Sequence, residues 1–130
     1  MNNKKSIAVI AVIVLFSTMT AISCTNKSNP TPAVSFSKDI IPVFIASCAL
    51  NSSCHLGANS TNLGINLDSS DAYNSIVSKN LISTTNPSSS LLYVEIEGAQ
   101  PEMPKYPNAP LSTSQQALIL DWIQQGAKNN

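Results

Sequence analysis

Apolar residues are distributed along the chain in three different ways. Ile7 to Phe16 are ten unbroken apolar positions behind Lys4 and Lys5, Thr25 to Ser35 is mostly Asn, Ser, Thr, Pro and Lys without any period, and after Phe36 apolar residues recur in short stretches at helical spacing. A first helix is predicted over Phe36 to Cys48, with Ile40, Val43, Phe44 and Ser47 on one face. Asp39 is its expected N-cap, which puts Pro42 in the first turn, where a missing N–H costs no internal hydrogen bond. A second helix over Ser70 to Lys79 would bury Tyr73, Ile76 and Val77. A third begins at Asn86, an N-cap followed by Pro87, and ends before Gly98 with Leu91, Leu92 and Ile96 facing inward. The fourth carries the fullest set of signals: a capping box from Ser112 to Gln115, apolar Leu118, Ile119, Trp122 and Ile123, and Gly126 as its stop. Strand-like alternation survives only for a few residues around Leu63 to Leu67, and no internal repeat appears. The expectation is an all-α domain of about four short helices over residues 36–130.

Residues 1–23 have the layout of a secretory signal, and ten apolar positions fall short of the roughly 20 that span a bilayer. Ala21-Ile22-Ser23-Cys24 resembles the lipobox of bacterial lipoproteins, in which the cysteine is lipidated and becomes the mature N-terminus. On that reading Cys24 is the lipidation site and residues 24–35 are anchor and tether. The protein is then exported to the periplasm or cell envelope and held on a membrane surface, each buried CH₂ contributing ~0.8 kcal/mol. An ordinary cleavage site, or a spare thiol near the start, is the alternative.

Charge narrows the partners further. Seven Lys and no Arg balance seven Asp and Glu. No basic face for a phosphate backbone results, which argues against nucleic acid. Residues 24–130 hold five Lys against seven acids, a formal charge of about −2. Their six aromatics, Phe36, Phe44, Tyr73, Tyr93, Tyr106 and Trp122, make a thin core for one domain. A large buried cofactor would supply the apolar surface that the side chains lack.

Three cysteines are an odd number for an exported chain, and assigning Cys24 to lipid leaves Cys48 and Cys54. The stretch Cys48-Ala49-Leu50-Asn51-Ser52-Ser53-Cys54-His55 offers two thiols and, directly after the second, an imidazole. Covalent haem attachment needs this combination: thiols that add to the two vinyl groups at one porphyrin edge, and a histidine presented to the iron by the same turn. Five residues separate the cysteines where the common motif has two, so the extra residues must bulge outward, and Asn51, Ser52 and Ser53 suit an exposed bulge. A Cys48–Cys54 disulfide beside an incidental histidine is the other reading of the same residues.

Met103 is the only methionine outside the signal and His55 the only histidine. In Pro101-Glu102-Met103-Pro104 a thioether is held by a proline-flanked loop just ahead of the last helix, and could reach the iron face opposite His55. Lys105 or an open site are the other possibilities at that face. A single histidine rules out bis-histidine ligation within the chain. Two Cys and one His also fall short of the four ligands of a structural zinc site.

In these residues the chain resembles the small class I c-type cytochromes, in particular exported lipoprotein cytochromes. The resemblance rests on FSKDIIPVFIASCALNSSCH, on N-P-x-x-S-x-L from Asn86, on the loop around Met103-Pro104, and on PLSTSQQALILDWIQQGA, and covers roughly residues 36 to 127. It implies a cytochrome c-like helical fold around one haem c, with the first and last helices crossing. It also implies that Cys48 and Cys54 form the thioethers, that His55 is the proximal iron ligand and that Met103 is the distal one. Trp122 would pack against the first helix or the haem edge.

Electron transfer between redox partner proteins is the function this predicts, and no catalytic base, nucleophile or substrate pocket stands out to suggest an enzyme. Two rivals remain: a peroxidase-like or gas-binding protein with an open sixth position, and a haem-free lipoprotein stapled by a disulfide.

Overall fold

A computed structural model describes residues 31–57 and 63–130. The expected signal peptide and Cys24 lie outside the described residues. Those described are helical, with no strand among them, and form an all-α architecture. No helix among them is long and apolar enough to cross a membrane.

The first helix opens as a wide π turn, Phe36–Ile40, and continues without a break as α1 (Ile41–Ser47). Its cap is not Asp39 but Ser35, whose hydroxyl accepts from the Lys38 N–H at 3.3 Å. Asp39 returns the bond, its carboxylate accepting from the Ser35 N–H at 2.7 Å. The helix begins three residues earlier than its strongest apparent cap because serine and acid work as a reciprocal pair. Pro42 then falls in the first turn of α1, where its missing N–H is tolerated. Ile40, Val43 and Phe44 are buried as the periodicity requires, and Ser47 is half-buried.

α2 (Ala72–Ser78) buries Ala72, Ser75 and Ile76. Val77, expected inside, is 46% exposed, because the inward stripe follows the 72, 75, 76 positions and leaves residue 77 on its flank. The third predicted helix is split in two. A 3₁₀ turn over Pro87–Ser89 stops at Ser90, whose backbone is extended, and α3 (Leu91–Val94) starts anew. Ser90 is 1% exposed, and its hydroxyl accepts from the Ser83 N–H at 2.9 Å. A buried serine tied to the preceding segment explains the break: in a continuous helix it could not reach that partner. The split turns Leu91 outward, while Leu92 and Ile96 remain inside.

α4 (Thr113–Gln124) has the predicted capping box, with the Gln115 N–H donating to the Ser112 hydroxyl at 3.3 Å and the Ser112 N–H to Gln115 Oε1 at 2.9 Å. Ile119, Trp122 and Ile123 are fully buried. Gly126, at φ +96°, ends the helix in the left-handed region.

Phe36 joins the elements. Its ring centroid lies 5.0 Å from Trp122 on α4, 5.4 Å from Tyr73 on α2 and 6.3 Å from Phe44 on α1. The Trp122 indole N–H donates to the Lys128 carbonyl at 2.9 Å, so the buried ring leaves no unpaired donor. The last residues of the expected tether also join the domain. Val34 is buried and donates its N–H to Gln125 Oε1 at 2.9 Å, and the amide of Gln125 donates to the Pro32 carbonyl at 3.2 Å. The aromatic core thus gathers around Phe36, and the cavity described next opens beyond the C-terminal end of α1, where Ser47 lines it.

Because Trp122 is central to this cluster, Trp122→Ala should lower unfolding stability by ~3–5 kcal/mol in denaturant titrations. A loss below about 1 kcal/mol would show that the Phe36–Trp122 contact is peripheral.

Candidate functional site

The end of α1 turns directly into the cysteine-histidine segment. Cys48 is the C-cap of α1, its N–H donating to the Phe44 carbonyl at 2.8 Å. Leu50, Asn51, Ser52 and Ser53 then loop out into solvent. Their turn is held by Asn51, whose side-chain oxygen accepts from the Ser53 N–H at 2.9 Å and whose carbonyl accepts from the Cys54 N–H at 3.0 Å. The loop closes where the His55 N–H donates to the Cys48 carbonyl at 3.1 Å. The five-residue spacing is therefore an outward bulge that brings His55 back beside Cys48.

A second segment buttresses the imidazole. The Leu67 N–H donates to the His55 carbonyl at 2.8 Å, and His55 Nδ1 lies 3.2 Å from the Ile65 carbonyl. With Nδ1 donating to that carbonyl, Nε2 is the nitrogen left with a lone pair for a metal. Between these contacts Asn66, 5% exposed, ties the segment down. Its N–H donates to the Ser75 hydroxyl of α2 at 2.8 Å, and its side-chain oxygen accepts from the Gly57 and Asp68 N–H groups at 2.9 and 3.1 Å. Sequence reasoning missed Asn66. One polar residue in an irregular segment carries no periodic signal, and only its burial discloses its role.

Met103 comes from a separate segment, the loop that follows α3. Its N–H donates to the Glu95 carbonyl at 2.7 Å, and its half-buried side chain packs against the core. Cys48, Cys54, His55 and Met103 all line one cavity of about 380 Å³. Leu67, Leu81, Leu92 and Ile96 form its deep wall, with Ile65 beside them. Ser47, Ser53, Glu95, Lys105 and Asn108 form the polar part of the lining. Leu63 and Leu91 line it too, although 82% and 49% exposed, so large apolar side chains stand unburied at its mouth. The outward Leu91 thus belongs to the cavity rather than to the core.

No disulfide joins Cys48 and Cys54. Burial, and secondarily the nearby Cys54, pushes the Cys48 thiol up to about 12 from 9.0. It therefore stays protonated at neutral pH.

The residues present fit a haem. Two sulfurs and one imidazole lie on one lining, a thioether lies on the same cavity from another loop, the deep wall is apolar, and the size is within the ~300–1,000 Å³ of cofactor sites. Lys105 shares the cavity with Met103 and remains the other donor there. Compared with known proteins, the chain matches no family model, and no curated protein or solved structure is significantly similar to it.

The histidine buttress also sets an acid response. The hydroxyl of Ser70, together with the amide groups around it, holds the Asp68 carboxyl below the usual carboxylate range, the Ser70 hydroxyl donating at 2.6 Å. A depressed pKa stabilises the fold above the ordinary value and loses that contribution as pH falls through the lowered one. Asp68→Ala should melt at a lower temperature than wild type at pH 7, and the difference should shrink as pH is taken down to 3. A difference constant with pH would mean that the ionised carboxylate plays no part.

Proposed function

We propose that this protein is an exported c-type cytochrome that binds one haem covalently and carries electrons between redox partner proteins. One observation carries the reading: the only histidine of the chain, the only methionine beyond the first 30 residues, and both cysteines of the C-x5-C-H segment line the same apolar cavity. Nothing in helix packing alone requires these four to meet.

In this reading Cys48 and Cys54 would hold the macrocycle through thioethers, and His55 Nε2 and the Met103 sulfur would bind the iron. A haem bound there provides a one-electron iron couple. The chain's own part is to keep both ligands in place through the redox change, so that charge changes without a change of coordination. The Ile65 carbonyl, accepting from Nδ1, makes His55 a stronger donor, and the Met103 thioether raises the potential. The apolar walls exclude water and favour the less charged oxidation state of the site. With His55 and Met103 both committed to the iron, the role would be electron transfer rather than catalysis. The fold is then cytochrome c-like, and Cys24 would fix the domain to a membrane surface facing the periplasm or cell envelope.

The mature protein, made in a host that matures cytochromes c, should keep its haem on a denaturing gel and titrate reversibly as a one-electron centre. The double variant Cys48→Ala/Cys54→Ala should lose the haem on the same gel. Met103→Ala should lower the midpoint potential by on the order of 0.1 V, within the ~0.8 V that axial ligands command. A wild-type protein that retains no haem contradicts the proposal.

A further inference from the structure

Met103 sits in a segment, residues 99–110, that has neither helix nor strand. Four prolines, Pro101, Pro104, Pro107 and Pro110, stiffen it and deprive it of amide donors. Its backbone bonds are sparse: the Met103 N–H donates to the Glu95 carbonyl at 2.7 Å, and the Asn108 N–H to the Lys105 carbonyl at 3.0 Å. A loop this poor in internal bonds must be positioned from outside.

Gln116 does this from the first turns of α4. It is 7% exposed, and its amide spans both ends of the loop. Its Nε2 donates to the Gly98 carbonyl at 3.1 Å and to the Leu111 carbonyl at 2.9 Å, while the Gly98 N–H donates to its Oε1 at 3.1 Å. Both amide hydrogens and the oxygen are used, so the side chain is fully committed to closing the loop. Buried networks that are completely satisfied are rigid, and replacing one member leaves the others unpaired.

We propose that Gln116 is the positioning residue for the distal ligand: by pinning Gly98 and Leu111 to α4 it fixes the ends of the loop, and so holds the Met103 sulfur at the iron. This rests on the haem reading above. The Gln116 side chain bonds to Gly98 and Leu111 rather than to the thiols or the imidazole, and its effect should appear only at the methionine.

The test uses the haem-loaded full protein and the affinity of its ferric form for added imidazole, which must displace the sulfur to bind. The apparent affinity scales with the fraction of molecules whose loop has let go. Gln116→Met keeps length and bulk without the amide, and should bind imidazole about ten-fold more tightly than wild type and weaken the far-red absorption of methionine-ligated ferric haem. Ile123→Ala serves as the control, since Ile123 is buried on α4 but makes none of these bonds; it should stay within about two-fold of wild type. Amide exchange at Gly98, whose N–H bonds the glutamine, should quicken at least ten-fold in Gln116→Met and not in the control. Equal imidazole affinity in Gln116→Met and wild type, or an equal rise in Ile123→Ala, overturns the inference while leaving the haem assignment standing. A methionine-side signal unchanged by Met103→Ala also overturns it, and a wild-type protein without haem removes both.

Discussion

The hydrogen bond from the His55 N–H to the Cys48 carbonyl is the constraint from which the site follows. Without it, a five-residue spacing between cysteines would leave the second thiol and the imidazole free to lie anywhere within the reach of a mobile loop. With it, the extra residues are pushed into solvent and the histidine is returned to the end of α1. The Ile65 and Leu67 contacts then settle the imidazole's orientation, and Asn66 ties that support to α2. The geometry of the site is therefore built in steps from local bonds, each within hydrogen-bonding range of the last.

The helical core has a corresponding shape. Phe36 and Trp122 pack together in the helical core, while the buried Leu67, Leu81, Leu92 and Ile96 wall a cavity beyond the end of α1. Leu63 and Leu91 stand at its mouth with much of their surface in water. A small domain does not gain by leaving apolar walls and rims uncovered, since each square ångström costs about 25 cal/mol of the stabilisation that burial gives. A flat apolar cofactor would cover them, and would complete a core that has few large side chains of its own.

The parts of this arrangement that repeat or cap were legible in the sequence. Ile40, Val43 and Phe44 showed the buried face of the first helix, and the Ser112–Gln115 box marked the start of α4 to the residue. Met103 stood out because it was alone and flanked by prolines, and the structure does place it on the same cavity as Cys48, Cys54 and His55. What escaped was set by single tertiary bonds. Ser35 displaced Asp39 as cap through a reciprocal pair, Ser90 broke a helix to reach Ser83, and Val77 lay just off an inward stripe defined by smaller neighbours. Asn66 and Gln116 were invisible for the same reason. A polar residue that braces a loop has no period, and its importance appears only when its burial and its partners are known.

The central claim is that a macrocycle is joined to two sulfurs and its metal to the adjoining imidazole. The alkaline pyridine haemochrome spectrum of the purified mature protein tests it most directly, because the position of the reduced absorption band reports how many vinyl groups have become thioethers. The account predicts one haem per chain with both vinyl groups saturated. A colourless protein, or a haem extracted intact with its vinyl groups unreacted, would contradict it.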